Sequence, residues 1–190
     1  MKKIAIFASG SGSNAQKIIE YFNEKPVIGK VEIIFSNKKD AYVLERAKSF
    51  NISSCIFNRE EFYHTDKVQN ILNKHNIDLI VLAGFLWLVP QNVLQHYPKQ
   101  IINIHPALLP KYGGKGMFGA NVHEAVIKNQ DEYSGITIHY VNERYDEGDI
   151  IFQAKCKVDT NDTAESLAEK IHALEYEYYP RAIEEILVRF

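Results

Sequence analysis

The chain has 190 residues, 46% of them hydrophobic, which suits one domain with a proper core. Its 22 Lys+Arg against 24 Asp+Glu leave a net charge of −2, neither a nucleic-acid footprint nor a polybasic membrane patch. Cys55 and Cys156 are its two cysteines, far apart and outside any CxxC or Cys/His cluster; this argues against a disulfide framework or structural zinc and for a reducing cytoplasm.

Taken in chain order, Lys3–Ala8 reads as a buried strand. Met1-Lys2-Lys3 has the charge of a signal peptide, yet the apolar run breaks at Ser9-Gly10-Ser11-Gly12, so no signal peptide is expected. A helix follows over Asn14–Asn23, then a strand over Val31–Phe35. Ala41–Phe50 shows helical spacing through Val43, Leu44 and Ala47. Ser53–Phe57 reads as a short strand. Glu60–Lys74 reads as one helix turning Phe62, Val68, Ile71 and Leu72 inward. Leu79–Ala83 and Gln100–Ile104 are continuous apolar strands, as in a sheet covered on both faces, with a short proline-headed helix over Pro90–His96 between them. These runs are far too short to span a bilayer.

Pro106–Gly119 is loop-like, and Asn121–Asn129 is helical. Gly135–Val141 and Asp149–Val158 are strands separated by a charged stretch, hence an antiparallel pair. A long amphipathic helix, capped near Asp162 or Thr163, follows, and Pro180 should kink it. The expected architecture is α/β, a Rossmann-like, mainly parallel sheet flanked by helices with an antiparallel C-terminal edge, as one domain over 1–190.

Two places carry chemistry. Ser9-Gly10-Ser11-Gly12-Ser13-Asn14-Ala15 lies between the first strand and the first helix, where glycines permit a tight turn and helix N–H groups face an anion. The same residues fit the dinucleotide pattern G-x-G-x-x-A. That reading requires an acid after the second strand, where this chain has Ser36-Asn37-Lys38; Lys38 and Lys39 keep NADP open. Ser13 and Asn14 suit a single phosphate, and the bland alternative is a glycine turn with an ordinary helix cap.

The second place is Asn103-Ile104-His105-Pro106. On a strand, Asn103 and His105 share one face about 6–7 Å apart, and Pro106 ends the ladder. Open α/β sheets bind ligands at such strand ends. Tyr145-Asp146-Glu147-Gly148-Asp149 is a turn able to bring a carboxylate to that edge, where Asp146 would raise the imidazole pKa and fix its orientation. The alternative is an ordinary turn aspartate. Asn103, His105 and Asp146 together suit acyl transfer without a protein nucleophile. His64, His75, His96 and His172 read as structural, and the absence of an HxxxH or HExxH pair argues against a metal site.

Asn103-Ile104-His105-Pro106-Ala107-Leu108-Leu109-Pro110 resembles the N-x-H-P-[SA]-L-L-P signature of the folate-dependent formyltransferases. Gly12-Ser13-Asn14, Phe35-Ser36-Asn37, Leu82-Ala83-Gly84-Phe85, Asp146-Glu147-Gly148 and Glu175-x-x-x-Tyr179-Pro180 resemble the branch acting on glycinamide ribonucleotide, in the same order over nearly the whole chain. The resemblance implies formyl transfer from 10-formyltetrahydrofolate to the amine of glycinamide ribonucleotide, an early step of purine biosynthesis, with no metal. It places Asn103, His105 and Asp146 in the catalytic trio, Gly12, Ser13 and Asn14 at the substrate phosphate, and Glu175 against the ribonucleotide. Folate is expected beside Leu86, Trp87, Leu88 and Val89, the loop Asn142–Asp146, Asn103 and Arg59. The implied partners are the two small-molecule substrates, with no nucleic acid or membrane, acting on a monomer or homodimer.

The chain departs from the family where Met-Arg-Ile-Leu often stands; here it has Leu86-Trp87-Leu88-Val89. Gly113–Gly119 is longer than the histidine-containing loop of some members; His123 matches one of that loop's histidines without being catalytic, and His139 reads as supporting or structural. Other formyltransferases remain alternatives. A sugar-nucleotide enzyme is one; a tRNA enzyme is expected to add a C-terminal domain, and a formyltetrahydrofolate hydrolase an N-terminal one. A non-catalytic nucleotide-binding module is the alternative from another class.

Overall fold

The computed structural model describes residues 1–189; Phe190, the last residue of the expected domain, lies outside the described residues. The chain runs β1 (Lys2–Phe7), α1 (Ser13–Asn23), β2 (Gly29–Ser36), α2 (Val43–Ser49), β3 (Ser53–Ile56), α3 (Arg59–Tyr63) and α4 (Lys67–Lys74). It continues through β4 (Leu79–Leu82), α5 (Gln91–His96), β5 (Ile101–His105), α6 (Ala120–Lys128), β6 (Tyr133–Tyr140), β7 (Ile150–Lys157) and α7 (Ala164–Val188). The strands form one sheet in the order β3-β2-β1-β4-β5-β6-β7. β1 to β5 pair in parallel; β6 and β7 add antiparallel. This is the expected mainly parallel sheet with an antiparallel C-terminal edge.

Strand alternation explains the two cores. Ile4 and Ile6 of β1 face Ile18, Phe22, Ile171 and Ile183 of α1 and α7. Ala5 and Phe7 face the other way, among Phe35, Phe57, Phe62 and Phe85. Phe7 and Phe35 stack there with ring centroids 4.6 Å apart. Both sheet faces are therefore covered, and the C-terminal ends of the strands remain the natural ligand crevice, above all where the order reverses between β1 and β4.

The helix expected over Glu60–Lys74 is two helices. Thr65 interrupts it: its Oγ1 donates back to the Glu61 carbonyl at 2.9 Å and accepts the Lys67 N–H at 3.2 Å, replacing backbone bonds that would continue the first helix. α3 starts on a capping box between Asn58 and Glu61. α7 is capped by Thr163, whose side chain accepts from Ser166 N–H. It continues through Pro180 as a single element, with Tyr179, Pro180, Ala182 and Ile183 all buried. Tyr179 is fully buried, and its hydroxyl donates to the Leu82 carbonyl at 2.9 Å and lies 3.4 Å from the Ile102 carbonyl. The last long helix is thus pinned to the ends of β4 and β5. No helix among the described residues is long and apolar enough to cross a membrane.

Candidate active site

A cleft of about 580 Å³ opens along the carboxyl ends of β1, β4 and β5. Its floor is the glycine loop at one end, Asn103 and His105 in the middle, and residues 85–89 with 144–146 at the other.

At the glycine-loop end Gly12 takes a left-handed conformation (φ 72) as the N-cap of α1. The first helical bond there runs from Gln16 N–H to the Gly12 carbonyl at 2.9 Å, so the N–H groups of Ser13, Asn14 and Ala15 precede the ladder. No side chain caps them. Such an end attracts an anion through free donors and the helix dipole. The Asn14 side chain is turned elsewhere, with its Nδ2 donating to Glu175 Oε2 at 2.9 Å and its Oδ1 buried without a partner. Glu175 itself is buried, and loss of water pushes its carboxyl above the ordinary range despite the Asn14 bond and nearby His172. Lys38 and Lys39 do not line the cleft, and the Ser36 hydroxyl is engaged with the backbone of Lys38. The dinucleotide reading finds no support there.

β5 presents Asn103 and His105 on one face as its alternation requires, and the antiparallel neighbour sets His139 opposite Asn103 and Thr137 opposite His105. His139 Nδ1 stands 2.9 Å from the Tyr140 carbonyl, which can only accept, so Nδ1 carries the hydrogen in the neutral ring. Its Nε2 lone pair then accepts from Asn103 Nδ2 at 3.2 Å. This orients the amide and leaves its second hydrogen free for a ligand oxygen.

Asp146 comes from the turn after β6 and reaches both histidines. Its Oδ2 is 3.5 Å from His105 Nδ1, and its Oδ1 is 3.6 Å from His139 Nε2. Gly114 N–H donates to the same Oδ2 at 2.9 Å. Asp146 holds a left-handed backbone (φ 58), a conformation aspartate tolerates better than most residues. Burial pushes its carboxyl up, but the neighbouring His139 ring, the charge of His105 and the Gly114 N–H outweigh it and hold the group below its ordinary value. His105 does not follow the expectation of a raised pKa. The residue is 3% exposed, and burial lowers the pKa by more than Asp146 and the Tyr112 carbonyl restore.

At the far end Leu86, Trp87, Leu88 and Val89 all line the cleft, with Val141, Arg144 and Tyr145 across from them. The Tyr63 hydroxyl donates to the Leu88 carbonyl at 2.8 Å and fixes this segment. Arg59 is not a lining residue; its guanidinium lies over the rings of Tyr63 (5.3 Å) and Trp87 (5.8 Å).

Other lining residues were not legible as site residues. His172, read as structural, lines the cleft, one helical turn before Glu175; that three-residue spacing was the available signal. His123 also lines it, with an unpartnered Nδ1, and burial and then His172 lower its pKa. Lys115 and Phe118 join from the loop before α6. Among the described residues no group of three or more His, Cys, Asp or Glu could hold a metal ion.

A family model described as formyl transferase matches residues 2–183. The chain belongs to that family. It is 37% identical to phosphoribosylglycinamide formyltransferase of Bacillus subtilis (strain 168) over 191 residues, covering 98% of this chain and 95% of the relative. It is 42% identical to the chloroplastic phosphoribosylglycinamide formyltransferase of Arabidopsis thaliana over 187 residues, 96% of this chain but 64% of that longer relative. The crystal structure of glycinamide ribonucleotide transformylase 1 from Symbiobacterium toebii superposes with a TM-score of 0.89 at 33% identity, over 98% of this chain and 88% of the other. Membership in the formyl transferases fits a site with a free amide hydrogen, an imidazole and a carboxylate.

Proposed function

We propose that this member of the formyl transferases moves the formyl group of 10-formyltetrahydrofolate to the amine of glycinamide ribonucleotide, giving formylglycinamide ribonucleotide and tetrahydrofolate in de novo purine biosynthesis, as a single cytoplasmic domain over 1–190. The observation that carries this reading is one continuous cleft with an anion-binding helix terminus at one end, the Asn103–His105–Asp146 group in the middle and an aromatic-flanked slot at the other. Relatives named for this reaction match over nearly all of this chain.

In the proposed reaction the N–H groups at Ser13 and Asn14 bind the substrate phosphate, and Glu175, held by Asn14, contacts the ribonucleotide. Folate lies beside Leu86–Val89 and Tyr145, with Arg59 toward its outer end. The substrate amine attacks the formyl carbon, and a tetrahedral oxyanion forms. The free amide hydrogen of Asn103 and protonated His105 stabilise that oxyanion. The amine then gives up a proton, the bond from formyl carbon to folate nitrogen breaks, and that nitrogen leaves protonated. Protonated His105 gives its Nδ1 proton to the departing folate nitrogen as the carbon–nitrogen bond breaks, and the ring, then neutral, takes the amine's proton at the same atom, the one facing Asp146. Asp146 carries the balancing charge, an arrangement supported by its lowered pKa.

Purified protein with both substrates should release tetrahydrofolate only when the ribonucleotide is present. Release that is absent, or independent of the ribonucleotide, would refute the proposed acceptor.

A further inference from the structure

His105 has a second neighbour that the reaction does not use. Its Nε2 stands 2.7 Å from the backbone carbonyl of Tyr112. A carbonyl only accepts, so Nε2 carries a hydrogen, and the neutral ring keeps its lone pair on Nδ1. That is the nitrogen 3.5 Å from Asp146. Two residues further, Gly114 N–H holds Asp146 Oδ2. The backbone of residues 112–114 therefore touches both groups of the acid–base pair. A Cβ at Gly113 would lie 2.6 Å from Leu109 Cδ2 and 3.3 Å from Asp146 Cβ, so a side chain there would have to displace Leu109 and press on Asp146.

Tyr112 pays for this geometry with a left-handed backbone (φ 58), costly for a bulky residue unless its surroundings enforce it. They do so through the ring. The Tyr112 hydroxyl donates to Asp131 Oδ2 at 2.9 Å and accepts from Asn129 Nδ2 at 2.8 Å. Lys111 Nζ holds Asp131 at 2.6 and 2.7 Å. Asn129 and Asp131 belong to the turn between α6 and β6, and neither lines the catalytic cleft.

We propose that Tyr112 is a positioning residue for formyl transfer: its carbonyl selects the tautomer of His105, and its ring, anchored by Asn129 and Asp131, keeps that carbonyl in place. The inference rests on the reaction assigned above for its consequence in rate, but not for its consequence in tautomer. The charged or titratable side chains facing His105 are Asp146 and His139; Asp131 and Lys111 reach it only through Tyr112. The carbonyl also pulls the His105 pKa upward against burial, so a displaced carbonyl lets it fall further.

The test is histidine ¹⁵N NMR on the full chain, with His105 assigned from a His105→Gln variant, beside steady-state kinetics over pH. Wild-type His105 should show the Nε2–H tautomer. Tyr112→Phe should mix the tautomers, move the titration of His105 to lower pH and cut kcat about tenfold, with KM for both substrates within about twofold. Asp131→Ala should do the same. Asp131→Asn, which keeps an acceptor for the hydroxyl, should restore most of both readouts. An unchanged tautomer and titration in folded Tyr112→Phe, or in Asp131→Ala should the first variant fail to fold, would overturn the proposal. A wild-type protein with the Nε2–H tautomer that transfers no formyl group would instead overturn the reaction and leave the positioning intact.

Discussion

Gly12→Ala tests the anion-binding end of the cleft with a single methyl group. Gly12 has φ 72, and a Cβ built there lies 2.4 Å from Val43 Cγ2, 2.6 Å from Val43 Cβ and 3.0 Å from Val43 Cα. Rotating the valine cannot relieve the last two contacts. Val43 itself is fixed, buried at the start of α2 with its N–H bonded to the Gly10 carbonyl at 3.1 Å. Left-handed backbone costs an alanine roughly 1–2 kcal/mol, and a forced methyl in a packed site about 1–3 kcal/mol. The stiffer unfolded chain offsets about 0.4–1 kcal/mol. The net expectation is a loss of about 1–5 kcal/mol, seen in urea unfolding, with Tm lower by roughly 2–20 °C for a domain of this size. Because the strain falls on the first N–H groups of α1, KM for the ribonucleotide should rise about tenfold while KM for the folate stays put. Initial rates with each substrate varied at saturating levels of the other measure this. A stability loss under about 1 kcal/mol, or a KM change confined to the folate, would refute the close-packed phosphate loop.

Three further outcomes follow from other parts of the structure. His105→Ala and Asp146→Asn should each lower kcat about 10²–10⁴-fold and Asn103→Ala about 10²–10³-fold with far-UV circular dichroism unchanged; near-normal turnover in any of them would remove that residue from the mechanism. Tyr179→Phe leaves the Leu82 carbonyl without its buried donor and should cost about 1–3 kcal/mol in urea unfolding, whereas a neutral result would mean that α7 is held by packing alone. His105 and His123 both have pKa values lowered in the fold, chiefly by burial. The unfolded chain therefore binds more protons just below the ordinary imidazole value of about 6.5, and the stability tied to keeping both rings neutral is complete above that pH. It is lost as the pH falls through the folded values. Unfolding free energies between about pH 7.5 and 5 should decline accordingly, and His123→Asn should flatten the decline; an identical slope in the variant would contradict the role given to His123.

The sheet and its antiparallel edge were legible because strand and helix periods are local properties of the chain, strongest in runs such as Leu79–Leu82 and α7. The split between α3 and α4 was not, because one hydroxyl, Thr65, breaks a pattern whose apolar residues remain in helical phase. Asn103 and His105 were legible from strand alternation and a terminating proline. Their partners were harder, because His139 meets Asn103 through strand register and Asp146 arrives from a turn. The direction of the His105 pKa shift was out of reach for the same reason: the aspartate is visible in sequence, and the depth of burial that outweighs it is not. Arg59 lies off the cleft, over the rings of Tyr63 and the cleft-lining Trp87, a relation set by ring packing.

The bond between Asn14 and Glu175 joins residues 161 positions apart. It fastens the first helix to the last inside the cleft, so that part of the lining is complete only when both ends of the chain have docked. Long-range closure of this kind comes late in folding, after local elements have formed. Regain of ribonucleotide turnover during refolding is therefore a more stringent clock than regain of helix, and a chain still lacking α7 keeps the proposed phosphate donors of α1 but not Glu175, the proposed ribonucleotide contact.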